Sequence, residues 1–453
     1  MEENFSLQVN KIKDIDEARF LYETNFEIPD SVINAVKDII NDVKCNGLEA
    51  AIKYTNLFDK VSFKNIEDIK VSKKEINDGY EIIKTKAPNL VKAVEKSYEN
   101  IKLFHEEQLS HEPKSWFIKC QDYKKLGQIS LALDRICVYI PGGRYVYPSS
   151  VLMTVIPAQV AGVKEIVVCT PPLKDGKLND LLLYLFKFLN INEIYKIGGA
   201  QAVALMAYGE NNIKNEEIKK VQKIVGPGNI YVTAAKKLLF GVVGIDSLAG
   251  PSEVTIIADK DANPTFIAAD LLSQAEHDPD AKSILLTNSI DIANETIIRI
   301  YEELEFIDNQ YKDKFNLNMV IQSLRNNCKI IYNEDMDLLI RISNEIAPEH
   351  LEIMTKNPEE TLKNIKNAGS IFLGDYSPVA VGDYIGGTNH VIPTNGTSKF
   401  SSPLGVYDFF KKSGVTYYDY DALNEERKFI EDLAQTENLL AHKNSVSVRF
   451  KYK

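Results

Sequence analysis

The sequence predicts an α/β protein with two parallel-sheet units, an N-terminal arm and a small C-terminal domain. Two observations carry that prediction. Short apolar runs such as Ile136-Cys-Val-Tyr-Ile140 and Glu253-Val-Thr-Ile-Ile257 alternate with helix-length stretches, as in sheets whose parallel strands are joined by crossover helices. The alternation runs through two separate series that meet near residues 246–251, in a chain of 453 residues, long enough for more than one core.

Residues 1–28 read as an arm, with a possible edge strand from Phe5 and then a short polar helix. Pro29 marks a helix start, and Val32, Val36, Ile39, Ile40 and Val43 keep helical period until Gly47 ends the run. Helical patterns continue over 73–86 and 88–107, so the first hundred residues are mainly α. From Gln128 the pattern changes. The first series places strands at 136–140, 166–169, 193–197 and 223–225, with helices at 148–161, 179–189, 201–208 and 230–239. The second places strands at 253–257, 283–286, 329–332, 351–354 and 370–373, with helices at 264–275, 292–304, 335–346 and 358–367. Residues 305–328 are polar, carry no motif and read as a surface insertion. The tail from 396 is polar and aromatic, with one helix near 421–441 and a final strand at 445–451. It is short to stand alone and is expected to dock elsewhere, with another subunit as one candidate.

Apolar residues make up 44% and charged residues 26%, an ordinary globular balance. A formal net charge of -11 argues against nucleic acid or an anionic membrane as partner. It leaves a dinucleotide open, because backbone N–H groups at helix N-termini hold phosphates without net positive charge. Cys45, Cys120, Cys137, Cys169 and Cys328 are scattered and form no CxxC, so they read as reduced thiols, mostly in the core. The N-terminal residues lack the basic and apolar regions of a secretory signal. The longest apolar stretch, 151–169, contains Pro157, Lys164 and Glu165 and reads as core rather than membrane span. A cytoplasmic protein is expected.

Gln274 and His277 are three apart at the end of the 264–275 helix, so one helical face carries both. A ring nitrogen and a carboxamide oxygen together make half of a metal site. The plainer reading is a polar helix end stopped by Asp278 before Pro279. Of the other histidines, His105 and His111 read as surface residues. His350 follows Glu349, His390 sits in a glycine-rich loop with Asp383, and His442 precedes the last expected strand. Each alone is commonly a capping or surface histidine; four at strand–helix junctions favour one shared site. Gly142-Gly143, Gly198-Gly199 and Gly226-Pro-Gly228 follow strands and precede helices, where open α/β sheets take ligands. None is a GxGxxG, and tight turns without a ligand remain an alternative for each.

Together these motifs resemble the histidinol dehydrogenase family. Val138-Tyr-Ile-Pro-Gly-Gly143, Gly198-Gly-Ala-Gln-Ala202, Gly226-Pro-Gly-Asn229, Ala249-Gly-Pro-Ser-Glu253, Gln274-Ala-Glu-His-Asp278, Ala347-Pro-Glu-His-Leu351, the segment from Gly382-Asp-Tyr to Asn389-His390, and Ala441-His-Lys-Asn444 occur in the family's order, over roughly 25–450. The resemblance implies two incomplete Rossmann-like domains. One comprises 29–138 with 252–395 and holds the metal and catalytic residues; the other is 139–251 and binds NAD; 396–453 is exchanged between subunits of a homodimer. It implies one Zn2+ per subunit held by Gln274, His277, Asp383 and His442, and Glu349 with His350 as acid–base pair. Tyr139, Gln201 and Asn229 match NAD-contacting positions. Ser252, His350, His390 and Glu437, together with the metal ligands, match positions that contact L-histidinol.

The implied reaction takes L-histidinol through L-histidinaldehyde to L-histidine, the final steps of histidine biosynthesis, with two NAD+ reduced. Each hydride leaves a carbon whose oxygen must lose a proton, and an imidazole suits that role near neutral pH. The second oxidation needs water added to the aldehyde, and Glu349 is a plausible activator. Two adjacent residues can face one ligand from an irregular segment, which Pro348 supports. An N/O ligand set without thiolate leaves room for substrate nitrogens. The rival readings are a related zinc- and NAD-dependent dehydrogenase of another small alcohol, and a non-catalytic metal-dependent binding protein.

Overall fold

The apolar runs of both series are strands in the computed structural model, which describes residues 6–23, 27–121, 123–142, 146–211 and 217–452. Phe5 and Gly143 lie outside the described residues. In chain order the strands are β1 (Val9–Lys11), β2 (Trp116–Gln121), β3 (Lys124–Ala132), β4 (Arg135–Tyr139), β5 (Glu165–Cys169), β6 (Glu193–Tyr195), β7 (Glu210–Asn211), β8 (Glu217–Ile218), β9 (Lys223–Val225), β10 (Gly244–Ile245), β11 (Glu253–Ala258), β12 (Lys282–Thr287), β13 (Cys328–Tyr332), β14 (His350–Met354), β15 (Ser370–Leu373) and β16 (Phe410–Tyr418). β4, β11 and β14 are buried along their whole length, as strands covered by helices on both faces must be.

Two parallel sheets result, ordered β10-β9-β4-β5-β6 and β1-β13-β12-β11-β14-β15. In each, three strands step outward and the chain then returns beside the first of them, so order reverses at β4/β9 and at β11/β14. The two series thus share one topology that no sequence repeat announces. The arm contributes β1 to the edge of the second sheet; it begins at Val9, where the strand expected from Phe5 ended. All five cysteines are free thiols, three of them buried. Among the described residues no helix is long and apolar enough to cross a membrane.

The contacts divide the helices before residue 112 between the two sheets, instead of joining them all to the second series. Val36, Ile39, Ile40 and Val43 of helix Asp30–Asp59, which kinks at Gly47 (φ 50°), share a core with Cys137, Tyr139, Val203 and Val232. Tyr80 of helix Lys73–Lys86 stacks on Tyr184, ring centroids 5.1 Å apart. Helix Pro88–His111 touches both: Tyr98 meets Phe188 edge-on at 5.2 Å between centroids, while the Ser97 hydroxyl donates to the Tyr384 carbonyl at 2.6 Å and Asn100 to that of Ile385 at 2.7 Å.

The 305–328 region is not a surface insertion. Helix Ile290–Tyr311 runs through its first part, and helix Leu317–Asn327 buries Met319, Val320, Ile321 and Leu324 in the core of the second sheet. The polar outer face, rich in Asn and Gln, dominated the composition and hid four apolar positions at helical spacing. Leu324→Ala should therefore cost about 2–5 kcal/mol in urea unfolding; a surface insertion would lose less than about 0.5 kcal/mol. The expected 358–367 helix stops at Leu362, because the following backbone is held by a side chain. Lys366 N–H and Asn367 N–H both donate to Asn344 Oδ1, at 2.6 and 3.2 Å.

The chain divides into two compact units, 1–109 with 134–408 and 110–133 with 409–453. The second is built on an antiparallel sheet, β16-β3-β2, in which β16 pairs with β3 over nine positions. The hairpin at 116–132 thus belongs with the tail, and the tail's boundary falls at 409 rather than 396. The final strand expected at 445–451 is helical: Leu440–Ser447 follows Tyr420–Thr436 after Asn438, which sits at φ 59°. The Ser445 and Ser447 hydroxyls donate back to the His442 and Lys443 carbonyls, and of the alternating apolar residues only Val446 is buried.

Candidate active site

Helix Met336–Ile346 ends on Ala347, a buried residue at φ 50°, where a side chain is strained. Pro348 prevents the helix from resuming, and Glu349 enters β14 at its amino end. Both members of the expected acid–base pair are then held by the backbone of one residue on the neighbouring strand. Glu253 N–H donates to Glu349 Oε2 at 2.8 Å, and the Glu253 carbonyl accepts from His350 Nδ1 at 3.1 Å. A carbonyl only accepts, so Nδ1 carries the proton and Nε2 keeps a lone pair. Burial lowers the His350 pKa to about 4, against the raising field of Asp383, so the imidazole is neutral near neutral pH. Burial, aided by the charges of Glu253 and Asp383, pushes the Glu349 carboxyl well above its ordinary range; hydrogen bonds from Glu253 N–H and the Ser252 hydroxyl oppose this. Ser252 is thereby brought to the pair.

Asp383 lies on the short helix Val379–Tyr384, and His390 on the loop beyond it; Oδ1 and Nδ1 are 3.7 Å apart. Burial works to raise the Asp383 pKa, but the His390 hydrogen bond and the fields of His390, His350 and His277 outweigh it and the net shift is downward. Those interactions bring Asp383, His277, His350 and His390 into one cluster. Gln274 closes helix Pro264–Ala275 and His277 follows it within the same turn, its N–H on the Gln274 carbonyl at 3.2 Å. Gln274 is buried with its amide nitrogen unpaired, and His390 Nε2 is unpaired as well. Each unpaired buried polar atom costs about 1–3 kcal/mol, which a bound substrate offering an acceptor to the Gln274 amide N–H would relieve. A carboxamide, imidazoles and an ionised carboxylate are an N/O donor set suited to zinc. Among the described residues no three His, Cys, Asp or Glu side chains converge on one metal position. The fourth expected ligand, His442, is exposed on helix Leu440–Ser447 of the second unit, and Glu437 is exposed at the end of helix Tyr420–Thr436.

The expected cofactor residues gather at the carboxyl end of the first sheet. Tyr139 ends β4, is buried, and its hydroxyl accepts from Gly199 N–H at 3.0 Å. Gln201 is buried on the helix that Gly199 begins, with Oε1 unpaired. Exposed Asn229 caps helix Ile230–Leu239 by accepting from Tyr231 N–H and Val232 N–H. β4 and β9 flank the reversal of strand order, where open α/β sheets bind ligands. The expected acid–base pair is at the opposite, amino end of its own sheet, where that rule does not look.

Two residues escaped the sequence reading. Glu253 was visible only as the end of the Ala249–Glu253 motif and the start of an expected strand; besides its backbone role, its Oε1 accepts from Asn395 N–H at 3.0 Å. His105 is fully buried, not on the surface: Nδ1 bonds the Ile101 carbonyl at 2.7 Å, and Nε2 lies 3.4 Å from Asn389 Nδ2, in the loop that carries His390. Its spacing of four from Ile101 was the available signal.

A model of the family described as histidinol dehydrogenase matches residues 24–450. The chain is 46% identical over 420 residues to a histidinol dehydrogenase of Clostridium acetobutylicum, covering 93% of each. It is 43% identical over 449 residues to one of Methanocaldococcus jannaschii, covering 98% of this chain and 99% of that one. Among solved structures, a histidinol dehydrogenase from Elizabethkingia anophelis superimposes with a TM-score of 0.87 at 36% identity, covering 99% of this chain and 98% of the other.

Proposed function

The chain belongs to the histidinol dehydrogenase family, and from that premise we propose that it oxidises L-histidinol through L-histidinaldehyde to L-histidine, with two NAD+ reduced and one zinc ion per subunit. The observation that carries this reading is the hold of one backbone residue, Glu253, on both Glu349 and His350, beside Asp383 and His390.

In the first oxidation His350 Nε2 takes the hydroxyl proton as the carbon's hydride passes to NAD+. Glu349 then removes a proton from water as it adds to the aldehyde, and His350 returns its proton to the carbonyl oxygen, giving the hydrate and a neutral imidazole. His350 takes a proton from the hydrate as its hydride reduces the second NAD+, leaving the carboxylic acid. A carboxyl whose proton affinity is raised by burial suits such transfer better than one in water. Gln274, His277 and Asp383, with His442 from the tail, would hold zinc. When bound, zinc supplies a positive charge that anchors the substrate's imidazole and amine nitrogens. Ser252, His390 and Glu437 line the substrate position in this reading. Tyr139, Gln201 and Asn229 contact NAD.

The tail reading includes a homodimer. Trp116, Phe117 and Ile118 are consecutive on β2 and all are exposed, so both faces of that edge strand are bare and apolar. Phe429 and Leu433 add exposed apolar surface on helix Tyr420–Thr436. A second copy of the chain would cover them. The free, scattered thiols fit a reducing compartment, hence the cytoplasm.

The test is the stoichiometry of NADH formed on adding limiting L-histidinol: two per substrate are expected, whereas a simple alcohol dehydrogenase would give one and a binding protein none. Dialysis against a strong chelator should abolish turnover and Zn2+ should restore it. Full activity in protein shown metal-free by elemental analysis would overturn the metal assignment.

A further inference from the structure

Gly226 leaves β9 at the point where the first sheet reverses its strand order. It sits at φ +113°, and a Cβ there would meet the Tyr139 carbonyl oxygen at 2.2 Å, so only glycine fits. Both of its backbone polar groups are taken by one ion pair. Its N–H donates to Asp246 Oδ2 at 2.7 Å, and its carbonyl accepts from Lys236 Nζ at 2.5 Å. Lys236 Nζ closes the triangle on Asp246 Oδ1 at 2.6 Å. The two side chains are only 5% and 4% exposed. Such a pair is a weak source of stability, because taking two charges out of water offsets their attraction. Here its directional bonds converge on the glycine at the mouth of the crevice. Lys236 comes from helix Ile230–Leu239, and Asp246 from just beyond β10, so the pair ties the turn to elements on either side of it.

We propose that Lys236 and Asp246 are positioning residues for the dinucleotide, locking the Gly226-Pro227-Gly228 turn in its receiving shape before the cofactor arrives. The inference rests on the NAD reading above. Without the pair, Gly226 is free to sample both signs of φ, and binding must then order the turn at an entropic cost. Both charged groups are buried beneath the turn, so they act through Gly226 rather than by touching the cofactor.

The experiment uses the zinc-loaded full-length enzyme and NADH fluorescence. Removing one partner would leave a buried charge, so both are replaced together, Lys236→Met with Asp246→Leu. The folded double variant should bind NADH about tenfold more weakly or worse, and raise KM for NAD+ to match, while KM for L-histidinol stays within about twofold. Wild-type NADH affinity in the folded double variant, or equal rises in both KM values, would overturn the proposal. Failure of the wild type to bind NADH would refute the NAD reading itself and the proposal with it. Should the double variant not fold, hydrogen exchange on the wild type decides. The Gly226 amide should be protected in the free enzyme as well as with NADH. Protection that appears only with NADH would mean that the cofactor, and not the ion pair, forms the turn.

Discussion

His350→Asn should slow oxidation of both L-histidinol and L-histidinaldehyde by about 10²–10⁴-fold, the usual worth of a general base. Asparagine can still donate to the Glu253 carbonyl, the bond that His350 Nδ1 makes at 3.1 Å, but it offers no basic nitrogen where Nε2 stands. The backbone hold survives and the proton acceptor is lost. Glu349→Gln separates the two steps. The amide oxygen can still accept from Glu253 N–H, as Oε2 does at 2.8 Å, yet it cannot carry a proton away from water. Aldehyde oxidation should therefore fall far more than alcohol oxidation. Single-turnover NADH formation, begun separately from each substrate, reads both effects. Equal small losses for both variants on both substrates would mean that the pair has been misassigned.

The inner strands of the two parallel sheets were legible because each is a short apolar run between turns, and in β4, β11 and β14 burial on both faces leaves no polar alternation to blur it. Helix Leu317–Asn327 was not, since its apolar stripe is narrow and lies beside a polar, largely uncharged face. The hairpin β2/β3 was hidden for another reason. Three consecutive apolar residues, Trp116 to Ile118, have neither strand nor helix period, and all three are exposed among the described residues. Local pattern also failed at residues 445–451, where alternating Val446, Val448 and Phe450 read as a strand although serine side chains bonded back to the preceding turn complete a helix. At the candidate site, residue types and motif order pointed to Glu349, His350, Asp383 and His390. The contribution of Glu253 was out of reach, since a backbone N–H and carbonyl act there and every residue has those. His105 looked like a surface residue because its neighbours in sequence are charged, while the side chain that meets it, Asn389, is distant in sequence.

Mixing two inactive variants, His277→Asn and His442→Asn, unfolding them together and refolding should restore about a quarter of wild-type sites. The reasoning starts from His442, exposed on a helix of a unit made from two short segments, yet matched to a metal ligand. If it completes the site of the neighbouring subunit, a mixed dimer has one site with both defects and one with neither. Random pairing makes about half the dimers mixed, and half the sites in those are intact, which gives the quarter. If His442 instead serves its own chain, every site keeps one defect and no activity returns. The bare β2 edge predicts where the copies meet, so Phe117→Glu should shift the protein toward monomer in analytical ultracentrifugation. In a tail-exchanged dimer that same variant should lose activity with its partner's tail, in proportion to the monomer formed. A parallel refolding of wild type supplies the control. Absence of complementation with that control intact would refute the exchanged tail, while leaving Gln274, His277 and Asp383 as the ligands of a site completed within one chain.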